Sequence, residues 1–337
     1  MKSSGNEPLR RLPAKAGYAA VLVIAGWAVT GVWYVHHPRA WLEEHESRWP
    51  KALTAALYWI GNPVGDVTDG LGWTGTDVTA ATSRPAPCGS VTFAGAPKRT
   101  ASPAPDDIRI LDRGAFLVGW SDRLRHPVWC AYHVTPEVKF KDGKRPRFLV
   151  DKSVRTSPRP DDYTHSGFDR GHMVPNHAII SRFGEDMRRR TFLMSNITPQ
   201  RAALNRGVWK DVEHRIADLW SARYGEIWIV VGCIPSDCGA TIGTTGIDVP
   251  SAFYQLVIAQ EGREIRALAV LLPQTADWDV WAARYLVSID ELERLTGLDF
   301  NSELADDLEA SLEAGIPTRL WPVRFVDILD QIGLRFN

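Results

Sequence analysis

The stretch Ser166-Gly167-Phe168-Asp169-Arg170-Gly171-His172-Met173-Val174-Pro175-Asn176 decides how the rest of this chain is read. Two further pieces follow it: Met194-Ser195-Asn196-Ile197-Thr198-Pro199-Gln200, then Leu204-Asn205-Arg206-Gly207-Val208-Trp209-Lys210-Asp211-Val212-Glu213. His172 offers a base whose ordinary titration lies near neutrality. Gly171 before it lets the backbone bend sharply and approach a ligand, and Pro175 stiffens the exit. Arg170 is a planar cation suited to a phosphate, unless Asp169 simply neutralises it. If the third piece is helical, Asn205, Trp209 and Glu213 fall at i, i+4 and i+8 on one drifting stripe, with Trp209 as the anchor.

Taken singly, each residue has a plainer use. His172 would be a loop or core histidine, Asn205 a helix N-cap, Glu213 a solvated partner of Lys210 or Arg215, and Arg170 an ordinary ion-pair residue. Taken together they fit one chemistry. Hydrolysing a phosphodiester needs a water made more basic and a counter-charge for the phosphorane and leaving oxygen. His172 supplies the first. A hard cation such as Mg²⁺ keeps several waters and accepts few protein ligands, so the Asn205 amide oxygen and a water-gripping Glu213 suffice for the second. Asn196 is placed to hydrogen-bond across the site or to support its loop.

The three pieces resemble the DNA/RNA non-specific endonucleases, a family of ββα-metal nucleases that includes secreted bacterial nucleases and mitochondrial endonuclease G. Tyr163-Thr164-His165-Ser166-Gly167-Phe168, Val249-Pro250-Ser251-Ala252-Phe253 and the run from Ser288 to Phe300 extend the likeness over residues 110–300. The resemblance implies an α+β fold, a mixed or antiparallel sheet core carrying a ββα-metal finger. It implies His172 as general base, Asn205 as the sole direct protein ligand of Mg²⁺ (or Mn²⁺), and Glu213 on a water of that ion. Arg170 would contact substrate phosphate, and Asn196 would be a supporting catalytic residue. The family also uses an upstream arginine, for which Arg145, Arg147 and Arg155 are the candidates. One departure is Gly232-Cys233, where the family shows Gly-Pro. DNA and RNA are the implied substrates, and a homodimer is compatible with the family. Two rival readings are a non-catalytic nucleic-acid receptor and a phosphodiesterase of small substrates.

Composition sets the frame. At 337 residues with 45% hydrophobic and 23% charged residues, the chain can bury a full core. A formal net charge of -1 excludes a protein that coats nucleic acid by bulk positive charge, but leaves room for a local basic groove. Lysines and arginines do cluster before the motif (Lys139 to Arg159) and after it (Arg188 to Lys210), a pattern suited to phosphate contacts.

From Ala16 to Val35 no residue is charged. Twenty such residues match the thickness of a bilayer core as a helix. The basic tail 1–15 precedes this run and an acidic stretch follows, so a transmembrane anchor at 16–35 is expected, with the remainder outside the cytoplasm. That points to a bacterial inner membrane with the nuclease domain in the periplasm or outside, the mitochondrial intermembrane space being the alternative. Residues 36–105 read as an amphipathic segment and a flexible connector, and 106–330 as the endonuclease domain. Strands are expected at Phe116–Trp120, Val128–Val134, Ile227–Gly232, Ala252–Ile258 and Ile265–Leu272, and a helix from Ser288 to Gly297. Four cysteines allow Cys233–Cys238 with Cys88–Cys130 as disulfides, a zinc site being the rival.

Overall fold

Residues 252–259 and 265–272 are each apolar at all but one position, the pattern of strands covered on both faces. The computed structural model describes residues 76–82, 91–141, 143–236, 238–278 and 280–323, all within the unit Asp69–Asn337. In chain order the strands are β1 (Val78–Ala81), β2 (Lys98–Arg99), β3 (Ile108–Asp112), β4 (Phe116–Ser121), β5 (His126–Val134), β6 (Asp169–His172) and β7 (Ile197–Gln200). They continue as β8 (Ile227–Ile234), β9 (Thr241–Ile242), β10 (Ile247–Asp248), β11 (Ala252–Glu261), β12 (Glu264–Pro273), β13 (Leu286–Val287) and β14 (Leu298–Asp299).

Eight strands form the central sheet, in the order β1-β12-β11-β8-β5-β4-β3 with β13 also on β12. Every pairing in it is antiparallel, so of the expected mixed or antiparallel core the antiparallel form is present. The turn at Glu261-Gly262 joins β11 to β12 as expected, with Glu261 opposite Glu264.

The two faces of β11 serve different halves of the fold. Tyr254, Leu256 and Ile258 enter a core with Trp129, Phe300, Leu292 and Leu312. Phe253, on the opposite face, packs edge-on against Trp209 with ring centroids 5.8 Å apart. The sheet thus holds the Asn205–Glu213 segment through the tryptophan expected to anchor it.

The folded unit reaches back into the stretch read as connector. Residues 78–81 form the edge strand on β12, and Phe93 and Ala94 are buried in the main core. The basic tail, the anchor at 16–35, Cys88 and most of the rest of that stretch lie outside the described residues. Among the described residues no helix is long and apolar enough to cross a membrane.

The cysteine pairings need correcting. Cys130, Cys233 and Cys238 are free thiols. Cys233 continues β8 into the interior, its Sγ 3.5 Å from the Pro127 carbonyl, while Cys238 sits exposed beyond the strand end. Cys130 is buried with its thiol directed at the Asn196 Oδ1, 3.8 Å away.

The helix expected after Ser288 spans Ile289–Thr296; the Ser288 hydroxyl accepts from the Glu291 N–H and Gly297 closes it in the left-handed region. It meets the acidic helix Asp306–Glu313 at a crowded point, where carboxylate oxygens of Asp290, Glu293 and Glu313 lie within 4.8 Å of one another. Burial, followed by the Glu293 charge, pushes Glu313 up to about 8. A carboxyl whose folded value exceeds its unfolded one destabilises the fold progressively as pH rises between the two values. Glu313→Gln, which keeps the acceptor for Asn301, should therefore raise stability at pH 8 by about 1 kcal/mol and leave it unchanged near pH 4.5. Urea unfolding at the two pH values checks this; equal effects at both would contradict it.

Candidate active site

β6 and β7 form a separate two-stranded antiparallel ribbon, with Asp169 opposite Gln200 and His172 opposite Ile197. Between them run α1 (Asn176–Phe183) and α2 (Glu185–Thr191); after them come α3 (Ala202–Arg206) and α4 (Val208–His214). Ribbon and following helix make the expected ββα finger. A small core of Tyr163, Met194, Ile197, Ile242, Ile247 and Val249 supports it.

Two local readings change. Gly171 is a strand residue and not a turn; a Cβ there would stand 2.1 Å from Gln200 Oε1, so glycine makes room for that buried side chain. Gly171→Ala should displace His172 and lower activity at least tenfold, with melting temperature reduced, as thermal unfolding and an activity assay would show. The single helix expected from Asn205 to Glu213 is broken at Gly207, where a Cβ would come within 2.4 Å of the Ala203 carbonyl. The kink replaces the straight stripe, yet both ends face one space.

That space is a cleft of about 1030 Å³ lined by His172, Asn205, Glu213, Arg170, Arg145 and Lys210, among others. His172 sits against Phe192, edge to face at 4.8 Å, and Phe148 at 5.4 Å. Burial, aided by the Arg145 charge, lowers its pKa to about 3, so the imidazole is neutral throughout the physiological range. Its Nε2 is buried without a hydrogen-bond partner, which leaves Nδ1 as the ring nitrogen toward the cleft.

Asp169, the first residue of the motif, organises the opposite wall. Its Oδ2 accepts from Asn205 Nδ2 at 2.9 Å, and the carboxylate takes two bonds from Arg206, at 2.7 and 2.6 Å. Pinning the amide nitrogen fixes which way the Asn205 oxygen points. The carboxylate is held below its usual range: burial opposes this, and the Arg206 and Asn205 hydrogen bonds outweigh it. Asp169 thus bonds Arg206 and not Arg170, whose charge reaches it only at longer range. Arg170 instead donates Nε and Nη2 to the Pro160 carbonyl, at 2.9 and 2.7 Å, and lies over the Phe148 ring. Glu213 is pushed up to about 8 by burial, which outweighs the lowering influence of Trp209 and of the Lys210 charge.

Two of the upstream arginine candidates land elsewhere, and Asn196 takes the second of its expected uses, support of its loop. Asn196 is fully buried and faces the loop, not the cleft: it bonds the Val174 N–H and carbonyl and the Thr191 carbonyl, each at 3.0 Å. It fastens the chain two residues past His172. Arg147 lines a neighbouring hollow and Arg155 lies near Asp122; of the three upstream candidates only Arg145 lines the cleft. Arg145 stands over the Phe192 and Phe148 rings at 5.4 and 5.8 Å, beside the base.

Sequence reasoning passed over a cluster at the other end of the cleft. His177 Nε2 lies 2.9 Å from Asp218 Oδ1, and His214 Nδ1 lies 2.8 Å from Oδ2. Asp218 rides on a π-helical turn, Arg215–Trp220, that continues α4. The cluster ties α1, just after the His172 loop, to the helix bearing Glu213. No contiguous motif announces it.

The family model described as DNA/RNA non-specific endonuclease matches residues 96–307. The chain belongs to that family. It is 28% identical over 218 residues to a nuclease of Serratia marcescens, covering 60% of this chain and 78% of that one. It is 27% identical over 241 residues to the mitochondrial endonuclease G of Bos taurus, covering 66% of this chain and 79% of that one. With the mitochondrial nuclease EXOG of Mus musculus it shares 32% over 202 residues, 54% of each chain. The chain thus spans about half the length of that EXOG relative, and 55% of the one from Xenopus laevis. A chain in the crystal structure of the EndoG/EndoGI complex superposes with a TM-score of 0.53 at 23% identity, over 59% of this chain and 88% of that one. This likeness establishes the fold.

Proposed function

We propose that this chain is a divalent-cation-dependent endonuclease that hydrolyses phosphodiester bonds of DNA and RNA without strict sequence preference. The observation that carries the reading is convergence: His172, Asn205 and Glu213 line one cleft, with Arg145, Arg170 and Lys210 around them. The donor set fits a hard cation. An amide oxygen is oriented from behind by Asp169, and burial pushes the Glu213 carboxyl up to about 8 against the opposing Lys210 charge, a state that a nearby cation would relieve. Asn205 would hold Mg²⁺ directly and Glu213 through its hydration shell, supplying positive charge to the phosphoryl oxygens and the leaving group.

The protein groups do the rest. His172 Nδ1 takes the proton from the attacking water. Burial and the Arg145 charge keep the base unprotonated beforehand, and an incoming phosphodiester anion opposes both, strengthening it when substrate arrives. Arg145 and Arg170, the latter anchored through Pro160, receive the phosphate. Phe148 and Phe192 exclude bulk water from one side of the imidazole.

Purified protein with Mg²⁺ should degrade both plasmid DNA and RNA, and a chelator should stop it. Intact plasmid and RNA in every divalent metal would refute the reading. The uncharged run from Ala16 to Val35 supports a membrane tether with the nuclease outside the cytoplasm. A phosphatase fused to the C-terminus should then be active only if exported.

A further inference from the structure

Beyond the cleft lies a second hollow, of about 600 Å³, lined by Lys144, Arg145, Arg147, Leu149, Glu185 and Arg189. Arg145 and Pro146 belong to the walls of both spaces, so the two adjoin across that ridge. The hollow brings together two basic clusters separated by some forty residues of sequence. Arg188 makes the joint: its side chain is buried, with Nη2 donating to the Gly143 carbonyl at 3.1 Å and Nε to Asn176 Oδ1 at 2.7 Å. This pins the 143–147 segment onto α2. Of the three consecutive arginines, Arg188 is thus internal, and Arg190 donates to the Arg113 carbonyl, leaving Arg189 to face the hollow.

The charge in this hollow is unbalanced. Lys144, Arg145 and Arg147 make no ion pair among the described residues. The one acid in the wall, Glu185, is already approached by Arg188 at 3.4 Å and Arg189 at 3.6 Å. Leu149 adds an apolar patch, 56% exposed, of the kind that sugars and bases can cover. Cations beside exposed apolar surface, adjoining a phosphodiester cleft, match a nucleic-acid strand better than an acidic protein or a small anion.

We propose that the hollow is a second, non-catalytic binding site that takes the phosphates flanking the scissile bond on one side, with Lys144, Arg147 and Arg189 as its contacts. This rests on the nuclease reading and deepens it. The chain would then discriminate by substrate length. A polymer crossing the Arg145–Pro146 ridge engages both spaces, whereas a substrate confined to the cleft engages one. Each phosphate neutralised adds about 0.9 to the slope of log affinity against log salt on duplex and about 0.7 on a single strand.

The experiment compares the full chain with Lys144→Gln/Arg147→Gln/Arg189→Gln, on a trinucleotide and on a single strand of about 40 nucleotides, across a salt series. The expected result on the long strand is a KM raised on the order of tenfold to a hundredfold near physiological salt, and a salt slope shallower by about 2. Cleavage of the trinucleotide should be unchanged, which also shows that the variant is folded. Arg147→Lys/Arg189→Lys, which keep the charge, should retain the parent slope. An unchanged slope and KM on the long strand, with cleavage intact, would overturn the second site alone. Equal losses on both substrates would overturn it as well, by placing these residues in the cleft's own chemistry. Failure of the parent chain to cut any nucleic acid would instead remove the nuclease reading, and the second site with it.

Discussion

His172→Ala should lower the turnover of plasmid DNA by about 10³-fold or more while leaving DNA binding within a fewfold of the parent. General-base removal costs on the order of 10²–10⁴, and among the described residues the other histidines lining the cleft, His177 and His214, are engaged elsewhere. His177 and His214 are committed to Asp218 at the far end. Binding should survive because the proposed phosphate contacts, Arg145, Arg170 and Lys210, line the cleft and are left in place by the substitution. The lost ring leaves space against Phe148 and Phe192, so a modest fall in melting temperature is expected and does not account for the activity loss. Gel-shift affinity and single-turnover cleavage separate the two effects. A variant that cuts at the parent rate would remove the assigned base.

The second large effect concerns Asp169. Asn205→Ala should abolish cation-dependent cleavage at any cation concentration, because the amide oxygen is gone. Asp169→Ala keeps the amide oxygen and removes what orients it, so it should raise the Mg²⁺ concentration needed for half-maximal rate by about 10- to 100-fold, with the rate largely recovered at saturation. Asp169 also holds Arg206, and Arg206→Gln separates the two roles: it leaves the Asn205 bond intact and should shift the Mg²⁺ requirement little. Titrating activity against Mg²⁺ for the three variants is the check. An Asp169→Ala curve superimposed on that of the parent would show that the carboxylate does not set the ligand.

The contrast between Asn205 and Asp169 shows where sequence reading stops. That His172, Arg170, Asn205 and Glu213 share one cleft was legible because each lies in a contiguous run whose residue types make sense only together. The strands were legible because burial on both faces writes itself as unbroken apolar runs, as in β8 and β11. Ser288 and Gly297 announced their helix by capping chemistry alone.

By contrast, the Asp169–Asn205 bond joins positions 36 apart, and no spacing rule predicts it. Choosing Arg145 over Arg147 and Arg155 needed the cleft wall itself, since an irregular, proline-containing segment has no period that says which side chain points inward. Asn196 had two uses open, a bond across the site or support of its loop, and only the hydrogen bonds to backbone groups choose the second. The Gly207 break was hidden for another reason: the helical period was assumed across the one residue that interrupts it.

Chemical rescue tests the central claim most directly, that one imidazole in this cleft takes the proton from the attacking water. His172→Gly, given free imidazole, should regain DNA cleavage in proportion to the concentration of the unprotonated form, and only with Mg²⁺ present. Activity of His172→Gly without imidazole, at the parent rate, would contradict the account.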